Sequence, residues 1–401
     1  MRLRVRAMAH GGEGIADAPD GRVVFVRGAI PGDVVEAQLT KVKKRWARAD
    51  TTEILEPSAN RVEPTCPAAA AGAGCCDFSH IQPDAQLGIK RDILVGQLGA
   101  LSARSGVLGE FDVAELESVQ LEPQLGWRTR VRLGVDDNGR AGMRRARSTD
   151  VVAGVVCTQP VPGLLEGIVG DAARAFTPGA ELVVAVDAHG ERHVVETQAA
   201  QRGRRVETVQ RIVEGGDHVV ERVRGFDFVF PPTAFWQAHV RAPEAYSETI
   251  VEWGKADYDT PVGWDLYGGV GAFAPAIHEA LGSGSIESVD YSDAAAARKQ
   301  QVAEALELRV HNGDVAAVVG QLQRPGLVVL DPPRAGAGSE VVDAIADAKP
   351  QRVIHVGCDP ATFARDLAHF GERGFSVKRM KLIDAFPNTH HFEVIAVIEP
   401  A

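Results

Sequence analysis

Asp265-Leu266-Tyr267-Gly268-Gly269-Val270-Gly271-Ala272-Phe273 is the stretch on which the fold turns. The apolar run over 263–267 reads as a strand, and the glycines behind it let the backbone turn tightly into a helix and approach a ligand closely. A plain tight turn is the alternative reading, so the spacing to the next acidic residues matters. Asp290 lies about 20 residues on, at the end of a second strand, where a carboxylate can accept hydrogen bonds from both ribose hydroxyls. The same residue suits the N-cap of a helix starting near Ser292, and the two roles are compatible. Asp314, after the third strand, is placed to meet an adenine amino group. No lysine-bearing phosphate loop is present, so the implied ligand is adenosyl-like rather than a nucleoside triphosphate.

Working outward, strand-like runs at 286–290, 327–330 and 352–356 alternate with helical stretches at 293–308 and 339–348. That alternation predicts an α/β, Rossmann-like domain with a parallel doubly wound sheet over 225–401. The last two runs, 381–383 and 392–398, have no helix between them, which predicts a terminal antiparallel strand. Three segments then fall at the carboxyl edge of this sheet. Asp331-Pro332-Pro333-Arg334 follows the fourth strand, and its prolines make a stiff shelf, or simply a strand-ending turn. Cys358 follows the fifth strand, with Asp359 able to cap and Pro360 able to open the next helix. A thiol beside a helix N-terminus has a reason to be deprotonated and nucleophilic, whereas most cysteines are small buried hydrophobes. Glu393 begins the last strand among apolar neighbours, where burial raises the pKa as a general base needs; a salt-bridged strand residue is the plainer alternative.

Upstream, residues 1–57 alternate apolar and polar residues in short runs separated by Gly11-Gly12, Asp20-Gly21 and Pro31-Gly32, which predicts a small β-barrel. Lys41, Lys43, Lys44, Arg45 and Arg48 surround Trp46, a mixture suited to phosphate contacts and one stacked ring, or to a solvated strand face. Residues 58–224 open with a Pro-, Ala-, Gly- and Cys-rich linker and continue as a central α+β region, with a helix at 86–102 and strands at 128–135 and 182–186. The 401-residue length supports several domains, and 45% hydrophobic residues support packed cores in them. A formal charge of -11 excludes bulk electrostatic coating of nucleic acid or an anionic membrane, though not a local basic surface. No apolar run is long enough for a signal peptide or a membrane span, so a cytoplasmic protein with no membrane partner is expected.

The ordered set of motifs resembles the RNA uracil-5-methyltransferases. The N-terminal Gly-Gly-Glu-Gly-Ile and Ala-Ile-Pro-Gly-Asp look like a TRAM domain with an OB-like barrel. Phe235-Trp236-Gln237, the stretch at 265–271, Asp331 to Arg334, Cys358-Asp359-Pro360-Ala361-Thr362 with Arg365-Asp366, and 386–393 fall in the family's order. The resemblance implies a class I methyltransferase domain that uses S-adenosylmethionine. It implies that Gln237, Tyr267, Gly269, Gly271, Asp290, Asp314 and Asp331 bind or border that cofactor, that Cys358 is the nucleophile and that Glu393 is the base. It also implies structured RNA as partner, ribosomal in preference to transfer RNA, with no DNA and a monomer as the default. Two departures are Ala272, where many relatives carry a polar residue, and Gly357, where they often have serine.

Cys66, Cys75, Cys76 and Cys157 are the cysteines left over. The resemblance implies that they hold a 4Fe-4S cluster, which takes four thiolates. Here the usual Cys-Gly-Gly-Cys reads Ala73-Gly74-Cys75-Cys76, so neighbouring residues would both have to ligate, and a zinc site or free thiols stay open as alternatives. Competing functions are an RNA cytosine-5 methyltransferase, which calls for a second cysteine near Asp331, and amino-group methylation, which calls for an Asn-Pro-Pro-aromatic motif. A non-catalytic RNA-binding protein on the same fold is the alternative outside enzymes.

Overall fold

Apolar residues at every second position send alternate side chains inward, and the first five strands close into a barrel. They are β1 (Arg2–Met8), β2 (Glu13–Asp17), β3 (Val23–Arg27), β4 (Val34–Val42) and β5 (Trp46–Glu56), ordered β1-β2-β3-β5-β4 around Leu3, Val5, Val24, Val26 and Val35. The computed structural model describes residues 1–202, 205–292 and 300–401. Where β4 meets β5, Lys41, Lys43, Lys44 and Arg45 are exposed, and Trp46 lies under the cations, with Lys41 Nζ at 5.7 Å and the Arg48 guanidinium at 5.9 Å from its ring.

After α1 (Pro67–Ala70), α2 (Pro83–Ser105) and β6 (Glu117–Gln120), a central antiparallel sheet forms from β7 (Arg130–Val135), β8 (Ala141–Arg144), β9 (Val151–Ala153), β10 (Glu181–Val186), β11 (Arg192–Arg202) and β12 (Arg205–Glu214), ordered β12-β11-β10-β7-β8-β9. The hairpin of β13 (Val219–Val223) and β14 (Phe226–Phe230) and the helix α3 (Ala242–Gly254) lead into the C-terminal sheet.

That sheet is built from β15 (Val262–Leu266), β16 (Ser285–Asp290), β17 (Leu308–Asn312), β18 (Leu327–Leu330), β19 (Arg352–Gly357), β20 (Phe375–Asp384) and β21 (Glu393–Pro400), in the order β17-β16-β15-β18-β19-β21-β20-β6. Strands β15 to β19 run parallel, and β21 inserts antiparallel between β19 and β20, as the helix-free final pair predicts. Its helices are α4 (Ala274–Leu281), α5 (Gln301–Ala305), α6 (Val315–Val318), α7 (Ser339–Ala348) and α8 (Pro360–Glu372). Among the described residues no helix is long and apolar enough to cross a membrane.

Three segments differ from the sequence reading. The helix expected over 293–308 lies in part outside the described residues; the described remainder ends at Ala305, Glu307 takes a positive φ of 49°, and the buried Leu308 pairs with Ile286 as the first residue of β17. Helix α2 and strand β6, both within the central stretch of sequence, join the C-terminal sheet instead. Ile89, Ile93, Leu94 and Leu98 share a core with Leu330, Val353 and Phe370, and β6 adds a parallel edge strand beside β20, with Glu117 opposite Lys381. An apolar helix face packs wherever a matching surface lies, and chain order does not dictate which surface that is.

Candidate active site

The carboxyl edge of the C-terminal sheet gathers residues that are far apart in sequence. Leu266 pairs with Leu330, Leu330 with His355, and Gly357 with Val394. Tyr267, Asp331, Cys358 and Glu393, each one residue from those pairs, therefore stand along one edge. Asp331 is fixed there by its backbone N–H, which donates to Leu266 O at 3.2 Å. Asp359 caps α8 by accepting from the N–H groups of Ala361 and Thr362, both at 3.0 Å, with Pro360 in the first turn. A Cβ on Gly357 would lie 2.4 Å from the Phe363 ring, which is a physical reason for glycine before the thiol. Helix α8 also ties down the Asp331–Arg334 turn and its continuation. Thr362 Oγ1 donates to Arg334 O at 3.0 Å, and Asp366 accepts from Ala337 N at 2.7 Å.

Beside this edge, the glycine-rich turn makes a cradle. Tyr267, Gly269 and Gly271 take positive φ values of 62°, 54° and 83°, and a non-glycine residue held in that region marks a turn imposed by its surroundings. A Cβ on Gly268 would sit 2.3 Å from Asp265 Oδ2, so only glycine passes over that buried carboxylate. Asp265 accepts from Ser288 Oγ at 3.2 Å, and burial pushes its pKa up to about 7. Asp290 accepts from Gly269 N at 3.2 Å and from Ser292 N at 2.6 Å, among the described residues one bond per oxygen. Asp314 is exposed and caps α6 by accepting from Ala316 N at 3.0 Å. Gln237 is half-buried, next to buried Trp236 and the exposed Phe235 ring. Tyr267 Oη donates to Ala337 O at 3.3 Å, which joins the cradle to the Asp331 loop.

The electrostatics of the edge reverse one expectation. Burial, followed by the charges of Glu393 and Asp331, pushes the Cys358 thiol up to about 12, with Arg334 opposing. Lost hydration and two nearby carboxylates thus favour the protonated thiol in the free protein. Glu393 is buried, and burial together with Asp331 holds its carboxyl well above the ordinary range, in the direction the sequence reading expected. Asp331 is itself pushed up to about 7, by burial and then by Asp265. Glu393 Oε2 and the Oη of fully buried Tyr246 are both without a hydrogen-bond partner among the described residues.

Glu393 is held by contacts the sequence does not announce. Lys90 of α2 and Asp384 are both fully buried and pair at 2.6 Å, and Lys90 Nζ donates to Phe386 O at 3.1 Å. Gln86 accepts from Asn388 N at 2.8 Å and donates to Asn388 Oδ1 at 3.1 Å, which suits the left-handed φ of 65° at Asn388. Asp77 accepts from His390 N at 3.0 Å, and its other oxygen hydrogen-bonds His390 Nδ1. From the barrel, His10 Nε2 reaches Asp359 at 3.0 Å. A lysine and a glutamine one helical turn apart on an otherwise apolar face were the only available signal for α2's part.

The leftover cysteines converge. Cys157 Sγ lies 3.7 Å from Cys66 Sγ, 3.7 Å from Cys75 Sγ and 3.4 Å from Cys76 Sγ. Gly74 makes this possible: its N–H donates to Arg144 O at 2.9 Å, and a Cβ there would lie 2.7 Å from Ala146 Cα. The loop is thereby pressed onto the end of β8, and both adjacent cysteines reach Cys157. These separations do not fit a 4Fe-4S cluster, whose cube of iron and sulfide has to stand between its ligating thiolates and hold them well out of mutual contact.

A family model described as tRNA (Uracil-5-)-methyltransferase matches residues 320–399, and a TRAM domain model matches residues 1–52. An RNA methyltransferase of Corynebacterium glutamicum, itself described as uncharacterized, is 49% identical over 98% of this chain and 95% of its own length. A 23S rRNA (uracil(1939)-C(5))-methyltransferase of Halomonas elongata is 28% identical over 99% of this chain and 89% of its own. Among solved structures, a Pyrococcus abyssi tRNA (uracil-54, C5)-methyltransferase in complex with S-adenosyl-L-homocysteine shares the fold, with a TM-score of 0.70 at 20% identity over 99% of this chain and 100% of that one.

Proposed function

This chain belongs to the RNA uracil-5-methyltransferase family, and from that premise we propose that it methylates carbon 5 of one uridine, in ribosomal RNA, through a covalent bond between Cys358 and the base, in the cytoplasm. The observation that carries the reading is the pairing of Gly357 with Val394, which brings to one strand end a thiol and a buried carboxyl whose Oε2 has no hydrogen-bond partner among the described residues. The preference for ribosomal RNA rests on the relative from Halomonas elongata.

Carbon 5 of uracil is too weak a nucleophile to take a methyl group unaided. Cys358 loses its proton to solvent, its thiolate attacks carbon 6, and the electron pair of the 5,6 double bond moves to carbon 5 as an enolate. S-adenosylmethionine, when bound, supplies the electrophilic methyl group. Glu393 then takes the proton from carbon 5, the double bond re-forms, and the bond from carbon 6 to sulfur breaks to return the thiolate. A pKa held high by burial makes Glu393 a stronger proton acceptor once ionised. In this reading the cofactor lies along Gln237, Tyr267, Gly269, Gly271, Asp290, Asp314 and Asp331. Uracil has to leave its stack to reach Cys358, and Phe235 is an exposed ring on which a base can stack. The Lys41, Lys43, Lys44 and Arg45 hairpin serves the RNA backbone. For the cysteine knot, the resemblance favours an iron–sulfur cluster and the sulfur spacing favours a single ion.

The test incubates the protein with labelled S-adenosylmethionine and unmodified ribosomal and transfer RNA, then identifies the product nucleoside by mass spectrometry. Labelled 5-methyluridine in ribosomal RNA is expected, together with a stable protein–RNA adduct when the target uridine is replaced by 5-fluorouridine. Methylation of cytidine or of an amino group, or a failure of Cys358→Ala to abolish the adduct, would overturn the reading.

A further inference from the structure

We propose that Cys66, Cys75, Cys76 and Cys157 bind one tetrahedral zinc ion, in place of the iron–sulfur cluster that the family resemblance implies. Four sulfurs about 2.3 Å from a common centre stand about 3.8 Å apart by tetrahedral geometry. The separations from Cys157 are 3.7, 3.7 and 3.4 Å; the Sγ atoms of Cys66, Cys76 and Cys157 all lie within 4.8 Å of one another, and Cys75, outside that mutual set, joins it through its 3.7 Å contact with Cys157. No sulfur-to-sulfur bond is formed. The donor set is all thiolate and closed, which suits a structural zinc site, with no position left for water or substrate.

The surroundings are prepared for negative charge. Binding releases the thiol protons to solvent and leaves the ion with four thiolates at a net charge of about minus two. Arg128 lies within electrostatic reach of Cys157, Cys75 and Cys76, its guanidinium stands 4.8 Å from the Trp127 ring centre, and its buried Nε has no hydrogen-bond partner among the described residues. Gln159 Nε2 donates to Cys75 O at 2.8 Å, which fixes the turn between the adjacent ligands. Arg128 is half-buried and has no carboxylate partner among the described residues, and a four-thiolate ion would compensate its charge.

The site also has mechanical reach. Asp77 and Phe78 follow Cys76 directly; Asp77 holds His390, and Phe78 N donates to Asn388 O at 3.0 Å. The ion thereby anchors the loop that leads to Glu393, and it acts on position rather than on the reacting atoms.

The full chain, expressed with both zinc and iron supplied and purified without oxygen, is assayed for metals by plasma mass spectrometry and for acid-labile sulfide. About one zinc per chain, no sulfide and no broad visible absorption are expected, and cobalt exchanged into the site should show tetrahedral thiolate bands. Cys157→Ser should lose the metal, and Cys75→Ser should weaken it if the first variant does not fold. Chelation should speed hydrogen exchange over residues 386–393. Iron with equimolar sulfide, a single iron, a metal-free folded chain, or zinc retained in both variants would each overturn the proposal.

Discussion

The chain holds cysteines in two places, and their surroundings are opposite. Cys358 stands beside Glu393 and Asp331, and burial and carboxylate charge keep its proton on. The knot of Cys66, Cys75, Cys76 and Cys157 stands beside Arg128, a cation with no carboxylate partner among the described residues. One environment keeps the proton on the sulfur, and the other sets a cation within reach of the sulfurs. Thiol chemistry is thus assigned by the charge and water around the sulfur, not by the residue or by its place at a helix N-terminus.

The largest effect expected from breaking this contrast is at Cys358. Cys358→Ala should cut 5-methyluridine formation by at least about 10^3-fold while the knot's metal content stays at the wild-type value. Measured turnover above that floor, or loss of metal, would collapse the distinction between the sites.

A smaller effect is expected where the Glu393 loop meets α2. Lys90→Met leaves Asp384 buried without its cation and should cost about 3–5 kcal/mol in urea unfolding, whereas Lys90→Met with Asp384→Leu should recover most of it. If the single variant unfolds like wild type, the buried pair does not hold the loop.

Next comes the protonation of Cys358. With its thiol at about 12, alkylation of the free protein should rise about tenfold per pH unit from pH 7 to pH 10 without a plateau, because only the deprotonated fraction reacts. Glu393→Gln removes a negative charge that favours the thiol, so it should lower that pKa and speed alkylation at a fixed pH. A plateau near pH 7 would mean that the helix terminus wins after all. The smallest effect belongs to the barrel. Replacing Lys43, Lys44 and Arg45 by alanine should weaken RNA binding by roughly tenfold and flatten its salt dependence, with both thiol sites unchanged.

Much of the site was legible. The motif order placed Cys358, Asp331 and the glycine turn at strand ends, and the register of β15, β18, β19 and β21 brings those ends together. The capping of α8 by Asp359 was readable because it spans only three residues. Asp77, Gln86 and Lys90 were not readable as loop supports, since their partners lie about 300 residues on and no local pattern links them. The helix over 293–308 was overextended because periodicity ignores the pairing of Leu308 with Ile286.

The sequence by itself determined that an alternating α/β sheet comes after a small barrel, and which residue types gather at its edge, because hydrophobic period, turn glycines and caps act over a few residues. Tertiary structure alone decided that α2 and β6 complete that sheet, that the Cys358 thiol is protonated, and that the knot's sulfurs stand 3.4 to 3.7 Å from Cys157. Burial, charge proximity and ligand spacing depend on which distant segments meet, and only the folded chain fixes those meetings.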